Sequence, residues 1–93
     1  MSTKSFSCPD TQALFERRRV ARFANIEAVA RRKLEQLHMA DRLVDLRVPP
    51  GNRLEKLTGD REGQWSIRLN DQWRVCFVWT GTEAAAVEIA DYH

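Results

Sequence analysis

The stretch Trp65–Trp79, WSIRLNDQWRVCFVW, holds the pattern that decides the fold. Large apolar residues stand at every second position on both sides of a polar break at residues 70–72, NDQ. A period of two is typical of a strand with one buried face, and Asn and Asp are typical of turns. The sequence therefore predicts a β-hairpin whose apolar faces match, with Ile67 opposite Val75.

The same hairpin register places Arg68 opposite Arg74. Like charges directly across a pair of strands repel each other, so an anion is expected beside these two guanidinium groups. Two sources of that anion stay open, a carboxylate of the chain itself or a phosphate group of a ligand, because both satisfy the same electrostatics. The candidate carboxylates are those of Glu55, Asp60 and Glu88.

Apolar residues follow a helical period in the first half of the chain. Residues 9–18 predict one helix, with proline in its first turn, and a second helix begins at about Asn25, a good N-cap residue. Residues 41–46 predict a short helical turn. The paired prolines at residues 49–50 then end helical structure, since proline cannot continue a helix.

Strand-like segments follow the prolines. Turn-forming residues separate four of them, and the short segment at residues 3–7 also tolerates extended structure. At 93 residues the chain is expected to form one domain, residues 1–93. The expected fold is α+β, with two N-terminal helices and a short helical turn packed on one face of a mainly antiparallel sheet of four to five strands. The four predicted strands cover residues 53–57, 65–69, 73–79 and 85–90.

Composition argues against several classes of protein. The N-terminus has no signal-peptide pattern and no apolar stretch is long enough for a membrane helix, so a cytoplasmic protein is expected. Cys8 and Cys76 lie far apart and neither belongs to a CxxC pair, so both are expected to be small buried hydrophobic residues rather than a disulfide. His38 and His93 are isolated, and the spacing of these residues predicts no metal site.

Arginine dominates the basic residues, with twelve Arg against three Lys and a net charge of +2. Two clusters, at residues 17–19 and 31–33, predict a basic face, and no Lys or Arg follows Arg74. The planar guanidinium group suits both carboxylate and phosphate. A solvated, salt-bridged helical surface and a polyanion-binding site are both compatible with this pattern, and charge alone favours the first.

The chain ends with an acid, a phenol and an imidazole, at Asp91, Tyr92 and His93. An imidazole has an ordinary pKa of about 6.5 and exchanges protons near neutrality, while a guanidinium group stabilises developing negative charge. This combination suits cleavage of an RNA phosphodiester in which the 2′-hydroxyl of the substrate is the nucleophile. A solvated residue is the simpler interpretation of a terminal histidine taken alone.

Three ordered motifs resemble the HigB-like toxins, a branch of the RelE/ParE superfamily of bacterial toxin–antitoxin systems. The motifs are LTGDREGQWSI at residues 57–67, NDQWRVCF at residues 70–77 and DYH at residues 91–93. A looser similarity covers the rest of the chain and includes PPGNRL at residues 49–54. The resemblance implies a compact sheet with helices on one face. It also implies a toxin that cuts mRNA on the ribosome, inhibits translation and needs neither a metal nor another cofactor.

The resemblance further implies a cognate HigA-like antitoxin with a helix-turn-helix fold. This antitoxin would neutralise the toxin, and the two together would bind operator DNA and repress their own promoter. The catalytic set carried over from the family is Asp91, Tyr92, His93 and Arg74. Glu55 stands where some family members carry a histidine, so its part in acid–base chemistry stays open. The RNA- and ribosome-binding set carried over is Arg17, Arg18, Arg31, Arg32, Arg53, Lys56, Arg61 and Arg68.

Two other functions remain open at the level of the sequence. A ParE-like toxin would bind DNA gyrase and need no nuclease activity, and a plain interaction module would need no catalytic residues at all. The terminal residues separate these alternatives, because removal of Tyr92 and His93 is expected to abolish toxicity only in a nuclease.

Overall fold

A computed structural model of the protein describes residues 3–91. The helices are α1, Pro9–Phe15, and α2, Glu27–Met39. The strands are β1, Glu55–Lys56, β2, Trp65–Arg68, β3, Trp73–Trp79, and β4, Ala84–Asp91. Short 3-10 turns lie between them at Ala21–Ile26, Leu43–Arg47, Pro50–Asn52 and Gly59–Arg61. The predicted α+β class, with a four-stranded antiparallel sheet, is confirmed.

The first helix is shorter than the sequence predicted and ends at Phe15 rather than at residue 18. Arg17 adopts a left-handed conformation, with φ of 69°. The backbone N–H of Arg17 donates to the carbonyl of Leu14, and that of Arg18 donates to the carbonyl of Ala13. This is the Schellman arrangement that closes many helices, usually with glycine at the left-handed position. This helix end could not be predicted from the usual glycine, because arginine occupies the left-handed position here.

The second helix also begins later than predicted. Asn25 lies within the 3-10 turn Ala21–Ile26, and Ile26 is the N-cap residue, without a side-chain capping bond. Phe23 and Ile26 are buried in this turn, so apolar burial and not amide capping determines where α2 starts.

The sheet has the strand order β1-β2-β3-β4, and each neighbouring pair is antiparallel. The predicted register is confirmed, since Ile67 faces Val75 and Arg68 faces Arg74. Residues 3–7 run parallel to the outer edge of β4 through isolated bridges. The sheet is therefore mainly antiparallel, with a partial fifth strand at one edge.

Apolar residues on one face of the sheet belong to the same core cluster as apolar residues of the helices and their connecting turns. The alternate residues Ile67, Val75 and Phe77 are fully buried there. Because neighbouring side chains in a strand point to opposite faces, residues 66, 68, 74 and 76 lie on the other side, which we call the open face. The buried core cluster includes Leu14, Phe23, Ile26, Ala30, Leu34, Leu37, Leu46, Ile67, Val75, Phe77, Val87 and Ile89.

The two cysteines differ in burial. Cys76 is fully buried on β3, as expected, whereas Cys8 is only half-buried before α1, so the expectation of burial is confirmed for Cys76 alone. Both are free thiols. Within residues 3–91 no helix is long and apolar enough to cross a bilayer.

Candidate active site

Arg74 is the central residue of the open face. It belongs to β3 and only 8% of its surface is exposed. Its Nε donates to Ser66 Oγ at 2.8 Å, and its Nη2 donates to the carbonyl of Arg53 at 2.9 Å. The same Nη2 lies 3.2 Å from Oε1 of Glu55. The side chain of Arg74 therefore reaches across β2 towards β1.

Ser66 provides the first fixed contact of this guanidinium group. It lies in β2, is fully buried, and faces Cys76 on one side and Glu55 on the other. A hydroxyl accepts a hydrogen bond from a guanidinium without adding charge. Ser66 was not among the predicted site residues, although the strand pattern contains a signal for it. It stands two residues before Arg68 on the same face, and it is therefore a diagonal neighbour of Arg74.

The Arg53 carbonyl provides the second contact. Arg53 has a left-handed backbone, with φ of 46°, directly after the 3-10 turn Pro50–Asn52. Asn52 is fully buried, accepts from Lys33 Nζ, and donates through Nδ2 to the Leu46 carbonyl at 3.1 Å. These bonds tie the turn to α2, and they hold the backbone that precedes the Arg53 carbonyl.

Burial lowers the pKa of Lys33, and the nearby positive charge of Arg32 lowers it further. A buried ammonium group requires a partner, and the Asn52 side chain supplies a neutral oxygen. Lys33 is therefore a structural residue, unlike its neighbour Arg32, which is exposed.

The predicted repulsion between Arg68 and Arg74 is balanced by two carboxylates of the chain. Glu55, one of the proposed candidates, pairs with Arg74. Asp71 pairs with Arg68 and was not among the candidates. Asp71 lies in the hairpin loop, three residues after Arg68, so the pairing of residues across the strands does not indicate it. The phosphate alternative stays a prediction.

Arg61 enters the open face from the 3-10 turn Gly59–Arg61. Its Nη1 donates to Glu88 Oε1 at 2.9 Å and to Gln64 Oε1 at 3.1 Å. Burial raises the pKa of the Cys76 thiol and outweighs the positive charges of Arg61 and Arg74, which lower it, while the carboxylate of Glu88 adds to the rise. The Cys76 thiol therefore stays protonated at neutral pH and is a poor nucleophile.

Asp91, of the predicted catalytic tail, is an exposed residue at the end of β4. It faces Trp73 in the register and accepts a hydrogen bond from Gln72 Nε2 at 3.2 Å. Arg74 instead faces Ala90, one position earlier, so the positions of Asp91 and Arg74 belong to opposite faces of the sheet. Tyr92 and His93 lie outside the described residues. That the tail and Arg74 converge on one anion pocket thus stays a prediction.

The predicted RNA-binding residues of the sheet are also divided between its faces. Arg61 and Arg68 lie on the open face near Arg74. Lys56 is exposed and faces Trp65, so it belongs to the opposite face at the β1 edge. Arg53 is exposed, and its backbone carbonyl contacts Arg74.

The helical members of the predicted set form a second group. Arg17, Arg31 and Arg32 line a pocket of about 470 Å³ together with the acidic residues Glu27 and Glu35. Arg31 pairs with Glu27 at 3.3 Å.

Two members of this helical group have structural contacts. Arg31 donates to the carbonyls of Leu14 at 3.3 Å and Arg18 at 3.1 Å, so it holds the end of α1. Arg18 itself pairs with Glu16 at 2.5 Å on the surface. The contacts of Arg31 with the end of α1 therefore explain its presence by packing between the helices. Arg32 is an exposed cation at the same pocket.

The four-stranded antiparallel sheet, the helices before it and the arginines of the open face define a small α+β protein with a buried, hydrogen-bonded arginine at the centre of that face. The sequence model of one protein family, described as the RelE-like toxin of the type II toxin-antitoxin system HigB, matches residues 13–93. The chain belongs to the HigB-like toxin family, which confirms the resemblance of its motifs.

Three relatives extend this comparison. Toxin HigB-1 of Vibrio cholerae serotype O1 is 50% identical over 56 residues, which cover 60% of this chain and 59% of the relative. Endoribonuclease HigB of Proteus vulgaris is 42% identical over 41 residues, covering 44% of this chain and 45% of the relative. An uncharacterized protein of Haemophilus influenzae is 35% identical over 60 residues, covering 64% and 59%. The chain thus spans between 45% and 59% of the length of these relatives.

Proposed function

We propose that this protein is the toxin of a type II toxin–antitoxin system, and that it inhibits translation by cutting mRNA on the ribosome without a catalytic metal. Residues 1–93 would form a single RelE-like domain with both helices on one face of the sheet. The family membership supports the proposal, as does the name of the Proteus vulgaris relative, Endoribonuclease HigB. The ParE-like alternative receives no support from these relatives. A ribosome-bound substrate would place the activity in the cytoplasm.

The observation that carries the proposal is the buried guanidinium of Arg74. Two fixed acceptors, Ser66 Oγ and the Arg53 carbonyl, orient it on the open face, and its ion pair with Glu55 shows that an oxygen anion fits against Nη2. A preoriented cation with little exposure stabilises the charge of a pentavalent phosphate strongly, because no reorganisation is needed when the charge develops.

The chemistry that suits this site is transesterification within the RNA. The substrate 2′-hydroxyl loses its proton and forms a bond to phosphorus, the bond from phosphorus to the 5′-oxygen breaks, and that oxygen takes up a proton. His93 would transfer these protons, with Asp91 as its partner and Tyr92 orienting or stacking on a base. Arg74 would stabilise the phosphate oxygens. The products are a 2′,3′-cyclic phosphate and a free 5′-hydroxyl.

A HigA-like antitoxin with a helix-turn-helix fold is the proposed partner. It would neutralise the toxin, and operator DNA would be bound only through the complex of the two proteins. The helix pocket and the open face would offer surfaces of the toxin for the ribosome, mRNA and this antitoxin.

The test is cleavage of a defined mRNA by purified protein on ribosomes, with the ends of the products mapped. A chelator of transition metals should be present that leaves the Mg²⁺ that ribosomes need. We expect cleavage by the wild type and a loss of roughly a hundredfold or more in the cleavage rate for Arg74→Ala. The matched control is Arg42→Ala, since Arg42 is exposed and pairs with Asp45 away from the open face.

A second variant tests the tail. His93→Gln should abolish cleavage and toxicity while antitoxin binding persists.

Undiminished cleavage by folded Arg74→Ala would contradict the proposed role of Arg74. Inhibition of DNA gyrase without any RNA cleavage would instead show that the protein is a ParE-like toxin that acts by binding gyrase.

A further inference from the structure

We propose that Glu55 is a built-in competitor for phosphate at Arg74, so that RNA binds the open face only by displacing the Glu55 carboxylate. This inference rests on the proposed function, because it takes the phosphodiester of RNA as the incoming anion. It makes Glu55 a specificity-determining residue. The Glu55 carboxylate limits the affinity of the site for free RNA, which the ribosome does not hold in place.

The two members of the ion pair differ in how firmly they are held. Only 10% of the Arg74 side chain is exposed, against 54% of the Glu55 side chain. Arg74 donates to Ser66, which is fully buried in β2, and to the backbone of Arg53. Glu55 lies in a strand of two residues at the edge of the sheet. An arriving anion is therefore expected to move Glu55 and leave Arg74 in place.

The turn before Glu55 also helps to hold Arg74 more firmly than Glu55. The Asn52 side chain is bonded to Lys33, to Gln36 and to the Leu46 carbonyl, and Arg53 follows in its left-handed conformation. The carbonyl that accepts from Arg74 is thus held by contacts with α2 and with the turn Leu43–Arg47. The run PPGNR at residues 49–53 was expected to end helical structure, but α2 already ends at Met39 and Pro50–Asn52 forms a 3-10 turn. The role of the run in the structure is to orient the guanidinium.

The Glu55 carboxylate that now contacts Arg74 indicates which chemical class of ligand can take its place. A carboxylate and a phosphate present similar oxygen pairs to a guanidinium group, so the contact made by Glu55 is also available to a phosphodiester. When both anions approach one cation they repel each other, and the weaker competitor leaves. The neighbouring Arg68 pairs with Asp71 in the same manner, so the facing arginines of the hairpin are already neutralised within the chain.

This neutralisation has a consequence for substrate choice. Free RNA gains little at a site whose cations already have partners, because each new contact replaces an existing one. RNA held by the ribosome loses less entropy on reaching the site and displaces Glu55 more readily. Glu55 therefore favours ribosome-bound mRNA over free RNA.

The test compares wild type, Glu55→Gln and the control Glu83→Gln, which removes the same charge from the β3–β4 turn. The probe is a fluorescent single-stranded RNA with 2′-O-methyl groups, which cannot be cut because it lacks the nucleophile. At low salt we expect Glu55→Gln to bind this RNA roughly three- to tenfold more tightly than wild type, and Glu83→Gln to bind within about twofold of it. The gain should shrink as salt is raised.

A third variant checks that the gain depends on the guanidinium. The double variant Glu55→Gln/Arg74→Ala should lose the gain in RNA affinity. On ribosomes, Glu55→Gln should lower KM while kcat stays within about twofold of wild type, a split that general damage to the fold would not produce.

Two outcomes would overturn the inference. One is an unchanged RNA affinity in Glu55→Gln. The other is a fall in kcat of tenfold or more without tighter binding, which would make Glu55 an acid–base group. Failure of the proposed function is distinguishable, since a wild type that cuts no mRNA, together with tighter RNA binding by Glu55→Gln, leaves the inference standing.

Discussion

Asn52 illustrates how much a single side chain contributes to the site. It is fully buried, and its amide group is bonded to Lys33, Gln36 and the Leu46 carbonyl. The sequence indicated only that Asn52 favours a turn after the paired prolines. In the structure the same residue joins α2 to the turn that supports the Arg53 carbonyl.

Asn52→Ala should therefore destabilise the fold by about 2–3 kcal/mol, because it leaves the buried Lys33 Nζ and the Leu46 carbonyl without this partner. Asn25→Ala, at an exposed asparagine, should change the free energy of unfolding by less than about 0.5 kcal/mol. Urea unfolding followed by tryptophan fluorescence measures both. Equal stability of the two variants would show that the Asn52 bonds contribute nothing net.

At the scale of elements, the outer edge of β4 is closed by the N-terminal part of the chain. Residues 3–7 pair with it in parallel, and backbone bonds link Lys4 and Ser5 to the strand. Where this segment stops, the buried hydroxyl of Thr11 in α1 accepts the N–H of Ile89 at 2.9 Å. A helix side chain thus completes the edge of a strand. An unpaired edge would be a site for association with other chains.

Thr11→Val keeps the shape of this contact and removes the acceptor. We expect a loss of about 1–3 kcal/mol in the free energy of unfolding, because the Ile89 N–H is left buried without a partner. The Ile89 amide should also exchange with deuterium faster than in the wild type. Thr82→Val, in the exposed β3–β4 turn, is the matched control and should alter neither quantity. Unchanged exchange at Ile89 would argue against the bond.

At the scale of the whole molecule, the predicted RNA-binding residues fall into two groups. In the sheet group, Arg61 and Arg68 lie near Arg74 on the open face. The helical group includes Arg32 at the pocket of α2. The hydrophobic core lies between the sheet and α2. In the proposed function, the helical group would bind the ribosome at a distance from the chemistry.

This division predicts different kinetic effects for the two groups. Arg32→Gln should weaken ribosome binding through the loss of one phosphate contact. The slope of log K for ribosome binding against log salt should fall in magnitude by about one, while kcat at saturating ribosome concentration stays unchanged. Arg47→Gln, at an exposed arginine outside the proposed set, should leave the slope as it is. The measurement is ribosome binding at several KCl concentrations and constant Mg²⁺. A fall in kcat for Arg32→Gln would mean that the helical group takes part in the chemistry.

Local patterns were enough to predict the hairpin, its register and the α+β class. The alternation around residues 70–72 fixes which side chains share a face, and the facing pair Arg68 and Arg74 follows directly from it. Glu55 was one of three candidate anions for this pair, and the structure shows that it pairs with Arg74. The helix ends were predicted less well, because Arg17 takes a left-handed position that usually belongs to glycine.

The sequence by itself thus determined the strand pattern, the facing arginines and the family motifs, since these depend on neighbours within a few residues or across one short turn. Only the tertiary structure decided where the Arg74 guanidinium points. Its acceptors are a serine on β2 and a backbone carbonyl twenty-one residues earlier in the chain. A carbonyl has no side chain to identify it in a sequence, and its direction is set by a buried amide network that forms only when α2 packs beside the turn.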